Sequence, residues 1–467
     1  MTSSTSSAAS SVCEKVPNAR ALAILVSVAA GFIAAALDLT VVNIAGPEVR
    51  RSLSLSVEGL TWAIDGYMLT FASLLILAGA VAARYGAKRI YVWGLVVFVV
   101  ASGACAVAPS GAVLIVARLI QGAAAAAFIP SSLVLLANSF PDVEQRKQMV
   151  ALWSTAGAAA SGVGPVIGGL LVSSFGWRSI FYLNIPVVAL GLAMSLVLVR
   201  AVAPTSTQPI NYTKHSYLLI AAAGASLLLI TGPSHRWTGL LVVASAVAAV
   251  LFAALFIWTD LRSTDRTWPK ALIRRPGFVA MTIVGFGLNF GLYGVLYIVG
   301  LLLQVQFGLS PRDAGFQLLP IMIVFVVANL LFSRFVAKVG TRWPVIAGLA
   351  VASLACIPIW LAGPSIGLLA LTVALMVGNI GLGTTAPAMT VGLMESAGKE
   401  FAPIASSTFN ATRQFGTLLG VAAAGSIIAS TTSLISALEL LLVVSCTSYV
   451  LSAIIVAALT RSTAKEG

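Results

Sequence analysis

The sequence predicts an all-α integral membrane protein, with about fourteen transmembrane helices in two six-helix bundles and two extra helices between them. Three observations predict it. The 467-residue chain is 59% hydrophobic and only 9% charged, whereas an ordinary soluble domain carries about 25% charged residues. Its apolar residues gather into fourteen runs close to the roughly 20 residues that a helix needs to cross a bilayer. A short basic segment recurs at an offset of 254 residues, as expected of a duplicated half.

The elements follow in order. The opening "MTSSTSSAASSVCEKVPNAR" (1–20) is rich in Ser and Thr and predicts a disordered cytoplasmic tail. The apolar run after it is too long for the core of a signal peptide and lacks an obvious cleavage site. Spans at 21–46, 57–82, 90–109, 112–137, 148–173 and 180–200 make a first bundle, 21–200. Two inserted spans, 216–232 and 238–258, occupy 201–261, and both histidines, His215 and His235, fall in loops. The basic linker 262–277 returns the chain along the membrane surface. Spans at 278–304, 315–337, 344–363, 366–391, 404–430 and 434–459 make a second bundle, 278–459, ahead of a short cytoplasmic tail, 460–467.

Charge supports this order. With the N-terminus in the cytoplasm, 20 of the 27 Lys and Arg lie inside. Arg50, Arg51, Arg178, Arg236 and Arg312 lie outside, and Arg118 and Arg413 lie within spans. This is the positive-inside bias of a multi-pass plasma-membrane protein with both termini cytoplasmic, and losing one span would destroy it. It also accounts for the net charge of +13 without a nucleic-acid partner. The repeat pairs "GAVAARYGAKR" (79–89) with "SRFVAKVGTRW" (333–343), so that Arg84 meets Lys338, Gly86 meets Gly340 and Lys88 meets Arg342. The alternative is two ordinary positive-inside loops.

Polar residues inside the spans are the functional candidates. A charge at mid-bilayer costs roughly 2.5–3.5 kcal/mol on insertion scales, so it is retained for a reason. Of the fourteen acids, Asp38, Asp65 and Glu439 fall well inside spans, while Glu58 stands at the very start of span 57–82. Burial disfavours the charged form of a carboxyl. A carboxyl loaded with a proton from one side and unloaded to the other is the chemistry that proton coupling requires. Asp38 is read as that group, with a structural carboxylate as the alternative. Asp65, near Trp62 and Tyr67, is read either as a second proton or substrate group or as interfacial; Glu439 is read as a solvated end position. Arg118 is permanently charged and must face the interior, where it can act as a switch on Asp38 or as a structural ion pair. Arg413 forms a polar cluster one turn wide with Asn410 and Gln414, read as a second-half group that holds either substrate or a helix partner. Phe286, Phe290, Tyr293 and Tyr297 share one helix face beside Asn289, an arrangement that suits a lipophilic ligand as well as plain packing. "GAAASGVGPVIGGLL" is rich in small residues that let helices approach closely, and its Pro165 permits a bend.

Several stretches together resemble the major facilitator superfamily, in its fourteen-span drug:proton antiporter branch, over essentially the whole chain. They are "LDLTVVNIAGP" (37–47), "TWAIDGYMLTFASLLILAG" (61–79), "ARLIQGAAAAAFIP" (117–130), "GVGPVIGG" (162–169), "WRSIFYLNIP" (177–186) and "NATRQFG" (410–416). Within the branch the likeness is greatest to methylenomycin-type antibiotic resistance exporters. The resemblance implies the major facilitator fold, proton coupling through Asp38, Arg118 and Asp65, and substrate contacts that include Asn43 and Gln121. It implies conformational-switch motifs at Gly79, Arg84, Gly86, Lys88 and Arg89 and at Gly164, Pro165, Gly168 and Gly169. One departure stands out. The family's loop after span 2 has an acid before the basic residue, where this chain has Ala83, so the usual latch between halves is absent or carried by Arg84, Lys88 and Arg89.

The function expected is therefore a proton-coupled exporter of a small antibiotic or toxic metabolite, working by alternating access. A proton-coupled uptake symporter for a nutrient is the alternative. Spans 9–13 contain no acid, which favours a neutral or weakly acidic substrate over a dication; methylenomycin, a small carboxylic acid, would fit. No GxxxxGK[ST] phosphate loop occurs. With neither a metal cluster nor a nucleophile–base pair evident, no enzymatic activity and no cofactor beyond the proton gradient are expected. Cys13, Cys105, Cys356 and Cys446 show no redox spacing. The expected partners are the small-molecule substrate, protons and the lipid bilayer, and one chain suffices as a monomer.

Overall fold

A bilayer core offers no water to a backbone N–H or C=O, so each apolar run satisfies its own hydrogen bonds by coiling into a helix. The computed structural model describes residues 15–204, 210–263, 266–267 and 269–460. Most of the expected tails, residues 1–14 and 461–467, thus lie outside the described residues, as does Cys13. Helix α1 (Asn18–Ser52) already includes the last residues assigned to the N-terminal tail.

The first bundle comprises α1, α2 (Val57–Tyr85), α3 (Ala87–Ala106), α4 (Gly111–Ser139), α5 (Val143–Phe175) and α6 (Ser179–Leu198). The inserted pair is α7 (Tyr212–Thr231) and α8 (Leu240–Arg262), followed by a short α9 (Lys270–Ile273) in the linker. The second bundle comprises α10 (Pro276–Val305), α11 (Pro311–Ser333), α12 (Val336–Val339), α13 (Arg342–Leu354), α14 (Ile357–Ala362), α15 (Leu368–Ser430) and α16 (Leu434–Leu459). Side chains start several of these helices. Ser56, Ser110, Asp142, Ser310 and Ser433 each accept a hydrogen bond from an N–H of the first turn, replacing the partner that turn lacks.

Thirteen helical segments among the described residues are long and apolar enough to cross a membrane. The fourteenth expected span, 404–430, is the second arm of α15, a helix made more polar by Asn410, Arg413 and Gln414. Spans 12 and 13 are separate helices, as expected, the two arms of α15 meeting end to end at Gly398, where the backbone leaves helical geometry with a left-handed φ of 67°. Arg275 holds the bend by donating to the carbonyls of Ser396 (3.1 Å) and Ala397 (2.7 Å).

His215 departs from expectation. It lies buried in the first turns of α7 rather than in a loop. Asn211 caps this helix by accepting from the Lys214 N–H. The Lys214 ammonium is neutralised by Asp260 of α8 at 3.0 Å, so the helix extends past a charge that the apolar pattern took as its limit.

The repeat has a structural counterpart. Gly86 and Gly340, matched across the two halves, both have positive φ, at 95° and 79°. Lys88 donates to the carbonyls of Leu196 and Val199 at the end of α6. Its match, Arg342, donates to the carbonyl of Ala457 near the end of α16. In each half, the first basic turn thus ties down the last helix.

Among the described residues, three hydrogen bonds join the bundles, all toward the end of the molecule where α1 stops and α2 begins. The Thr61 and Tyr297 hydroxyls pair at 3.1 Å. Gln304 donates to the Ile44 carbonyl at 2.9 Å, and the Arg312 N–H donates to Ser173 Oγ at 3.0 Å.

Candidate functional site

Asp38 sits near the middle of α1 and Arg118 about two turns into α4; both are almost wholly buried, at 3% and 1% exposure. An Arg118 NH1–Asp38 Oδ2 ion pair joins them. The other carboxylate oxygen, Oδ1, accepts from Gln121 Nε2 at 3.2 Å and from Asn184 Nδ2 of α6 at 3.0 Å. Gln121 follows Arg118 by one turn, so one face of α4 presents both. Its Oε1 accepts from Arg118 NH1 at 2.9 Å, and its Nε2 also donates to Ser102 Oγ of α3. Arg118 Nε donates to the Ala63 carbonyl of α2 at 3.1 Å. The guanidinium lies 4.6 Å from the ring centre of Tyr67 and 5.8 Å from that of Phe181.

Helices α1, α2, α3, α4 and α6 thus converge on one buried carboxylate. Such a pair holds together only because its remaining lone pairs and protons are satisfied. Adding a proton to Asp38 would remove the charge that holds Arg118, while the guanidinium would keep its bonds to Ala63 and Gln121. The site can therefore exchange a proton for a rearrangement of α4 against α1.

Asp65 is elsewhere. It is fully buried within the protein, and neither carboxylate oxygen makes a well-formed hydrogen bond. Its polar neighbour is Ser226 of the inserted helix α7, whose hydroxyl is also unsatisfied.

The small-residue motif explains how α5 is seated. A Cβ on Gly164 would come within 1.9 Å of Thr40 Oγ1, two residues from Asp38. One on Gly168 would lie 2.8 Å from Val41 Cγ1, and one on Gly169 would lie 2.4 Å from the Pro311 carbonyl. A Cβ on Gly315 of α11 would in turn meet the Pro165 carbonyl at 2.4 Å. So α5 is pressed between α1 and the second bundle. Gly79 differs, with nothing within 4 Å of its Cβ position. Around the turn at Gly86, Arg84 at the end of α2 stacks 5.7 Å over Tyr85, while in the first turn of α3 Lys88 caps α6 and Arg89 is exposed. Lys88 acts here within its own bundle.

The second-half candidates divide into two groups. Phe286 and Phe290 stack on each other at 6.2 Å, and Tyr293 follows them on the same face, partly buried. Asn289 is buried and turned onto its own helix, donating to the Gly285 carbonyl. Tyr297 is fully buried and bonded to Thr61 across the bundles. Asn43 likewise bonds back to Leu39 and faces Gly300 of α10. On α15, Asn410 is exposed, Arg413 and Gln414 are partly so, and Arg413 lies 5.7 Å from the Phe409 ring. The structure does not join this cluster to Asp38.

Sequence reasoning left out Asn184, Ser102, Tyr67 and Phe181. Asn184 had a usable signal, being the only amide in its span. The sequence also hid Cys356 and Cys446, whose sulfurs lie 3.2 Å apart.

Known proteins resemble the chain in sequence and in fold. The chain is 44% identical over 416 residues to the methylenomycin A resistance protein of Streptomyces coelicolor, covering 87% of this chain and 86% of that one. It is 41% identical over 408 residues to the methylenomycin A resistance protein of Bacillus subtilis, covering 87% of each. A crystal structure of the peptide transporter POT in complex with sulfate shares the fold, with a TM-score of 0.70 at 16% identity, over 95% of this chain and 94% of that one. A family model described as the Major Facilitator Superfamily matches residues 28–421, and the chain belongs to that superfamily.

Proposed function

We propose that this protein is a drug:proton antiporter that expels a small, neutral or weakly acidic antibiotic or toxic metabolite from the cell by alternating access. The observation that carries this reading is the buried Asp38–Arg118 pair, held by Gln121 and Asn184 on three different helices. The names of its relatives, resistance proteins for methylenomycin A, support export as the direction. The protein works as a monomer in the plasma membrane with both termini in the cytoplasm. The end tied by Thr61–Tyr297 and Gln304–Ile44 is then the outer one, and the structure is closed to the outside.

In this cycle a proton arriving from outside loads Asp38 and frees Arg118. The change reaches the bundle interface through Thr40, which rests on Gly164 of α5, and through α5 onto α11. Proton release to the cytoplasm re-forms the pair. Inverted membrane vesicles with an acidic interior test the scheme. Adding a panel of antibiotics, weak acids and cations included, should collapse the pH gradient in wild type and leave it intact in Asp38→Asn. Equal collapse in both would remove Asp38 from the coupling step. A compound that leaves preloaded vesicles together with protons would instead favour a nutrient symporter.

A further inference from the structure

Arg413 carries a permanent charge inside a membrane span with no counter-ion. None of the three ion pairs among the described residues includes it, and its Nε is buried without a hydrogen-bond partner. The second bundle's acids lie at helix ends: Asp313 in the first turn of α11, Glu395 and Glu400 around the α15 bend, and Glu439 in the second turn of α16. Asp65 is no substitute. Thr61 abuts Gly425, so Asp65, one turn along α2, lies about 12 Å from Arg413 along the α15 axis.

The surroundings of Arg413 are those of a recognition site. Asn410 and Gln414, three residues before and one after, lie on the accessible face of the same helix, and their amides can donate alongside the guanidinium. The phenol of Tyr293 is close enough to interact with its charge. Beside it, the backbones of α10 and α15 touch: a Cβ on Gly416 or Gly420 would meet the carbonyls of Phe286 and Phe290 at 2.3 and 2.2 Å. That contact puts Phe286 and Phe290 on the helix packed against α15 within two turns of Arg413, whose guanidinium lies 5.7 Å from the Phe409 ring. A planar guanidinium fork takes a carboxylate in two parallel hydrogen bonds.

Resting on the export reading above, we propose that Arg413 is the substrate's anion subsite, receiving the carboxylate of an amphiphilic monoacid whose apolar body lies against Phe286 and Phe290. The ligand then supplies the counter-ion that the fold omits. It follows that the empty site favours acids over their amides and esters, and disfavours cations.

The test uses the full chain in lipid nanodiscs, with benzoate, phenylacetate and cyclohexanecarboxylate as probes and their amides as neutral controls. Thermal stabilisation is read against probe concentration for wild type, Arg413→Gln and Arg413→Lys. Wild type should prefer at least one acid over its amide by tenfold or more. Arg413→Gln should abolish that preference, and Arg413→Lys, which keeps the charge and loses the fork, should retain part of it. No acid preference in wild type, or the same preference in Arg413→Gln, overturns the proposal. Gradient discharge by neutral antibiotics is measured in parallel. If Arg413→Gln still exchanges those compounds for protons, the export reading stands whatever happens to the subsite; if wild type discharges with nothing, the export reading itself fails.

Discussion

Asp38 and Arg118 show why a buried pair is diagnosed by removing one side or both. Removing one charge from a buried pair typically costs about 3–5 kcal/mol, because the other is left uncompensated. Asp38→Asn should therefore lower the melting temperature of the detergent-solubilised protein as well as stop exchange. The double variant Asp38→Asn/Arg118→Gln should recover most of that stability and none of the transport. Recovery of transport in the double variant would mean that the pair is structural. Both charges, and Gln121, were legible in the sequence as polar residues in apolar runs. Asn184 carried the same mark inside a quoted motif, whereas Ser102 and the Ala63 carbonyl carried none. A serine or a backbone oxygen is too common in helices to stand out, and only the packing of α2 and α3 against α4 brings them to the site.

Among the elements, α5 and the basic turns make the sharpest predictions. Gly164→Ala would place a methyl into Thr40, and the helices cannot separate locally without disturbing α1 beside Asp38. Transport should fall by an order of magnitude or more, with reduced thermal stability, while Gly79→Ala, facing open space, should match wild type in both. Gly86→Ala and Gly340→Ala should each destabilise by about 1–2 kcal/mol, since a side chain resists positive φ. Lys88→Met and Arg342→Met should each cost about 0.3–1 kcal/mol, the usual worth of a cation at a helix C-terminus. Similar shifts in melting temperature for the two members of each pair would mark the duplication as functional in both halves; a loss confined to one half would argue against it. The matched residues were visible as a repeat, but their shared task was not, because the helix each one caps lies more than a hundred residues away.

At the scale of the whole molecule, the ties between bundles lie toward one end. If alternating access opens that end in each cycle, linking it should stop turnover. In a variant lacking the native cysteines, Ser173→Cys/Arg312→Cys places thiols where the Arg312 N–H now meets Ser173 Oγ at 3.0 Å. Oxidation should cut gradient discharge at least tenfold, and a reductant should restore it. Undiminished discharge after complete cross-linking would show that these ends never part.

Composition and periodicity were enough to read the class, the number of spans to within one and the presence of charges in apolar helices. These properties depend on local preference for lipid or water, which each residue carries with it. Other features came only from the folded chain: the union of Asp38 with four further helices, the burial of Asp65 under α7, the proximity of Cys356 to Cys446, and the lack of an ion pair at Arg413 among the described residues. Each depends on which helix faces which, and that is set by glycine contacts and side-chain volumes between residues far apart in the chain. No window of sequence contains them.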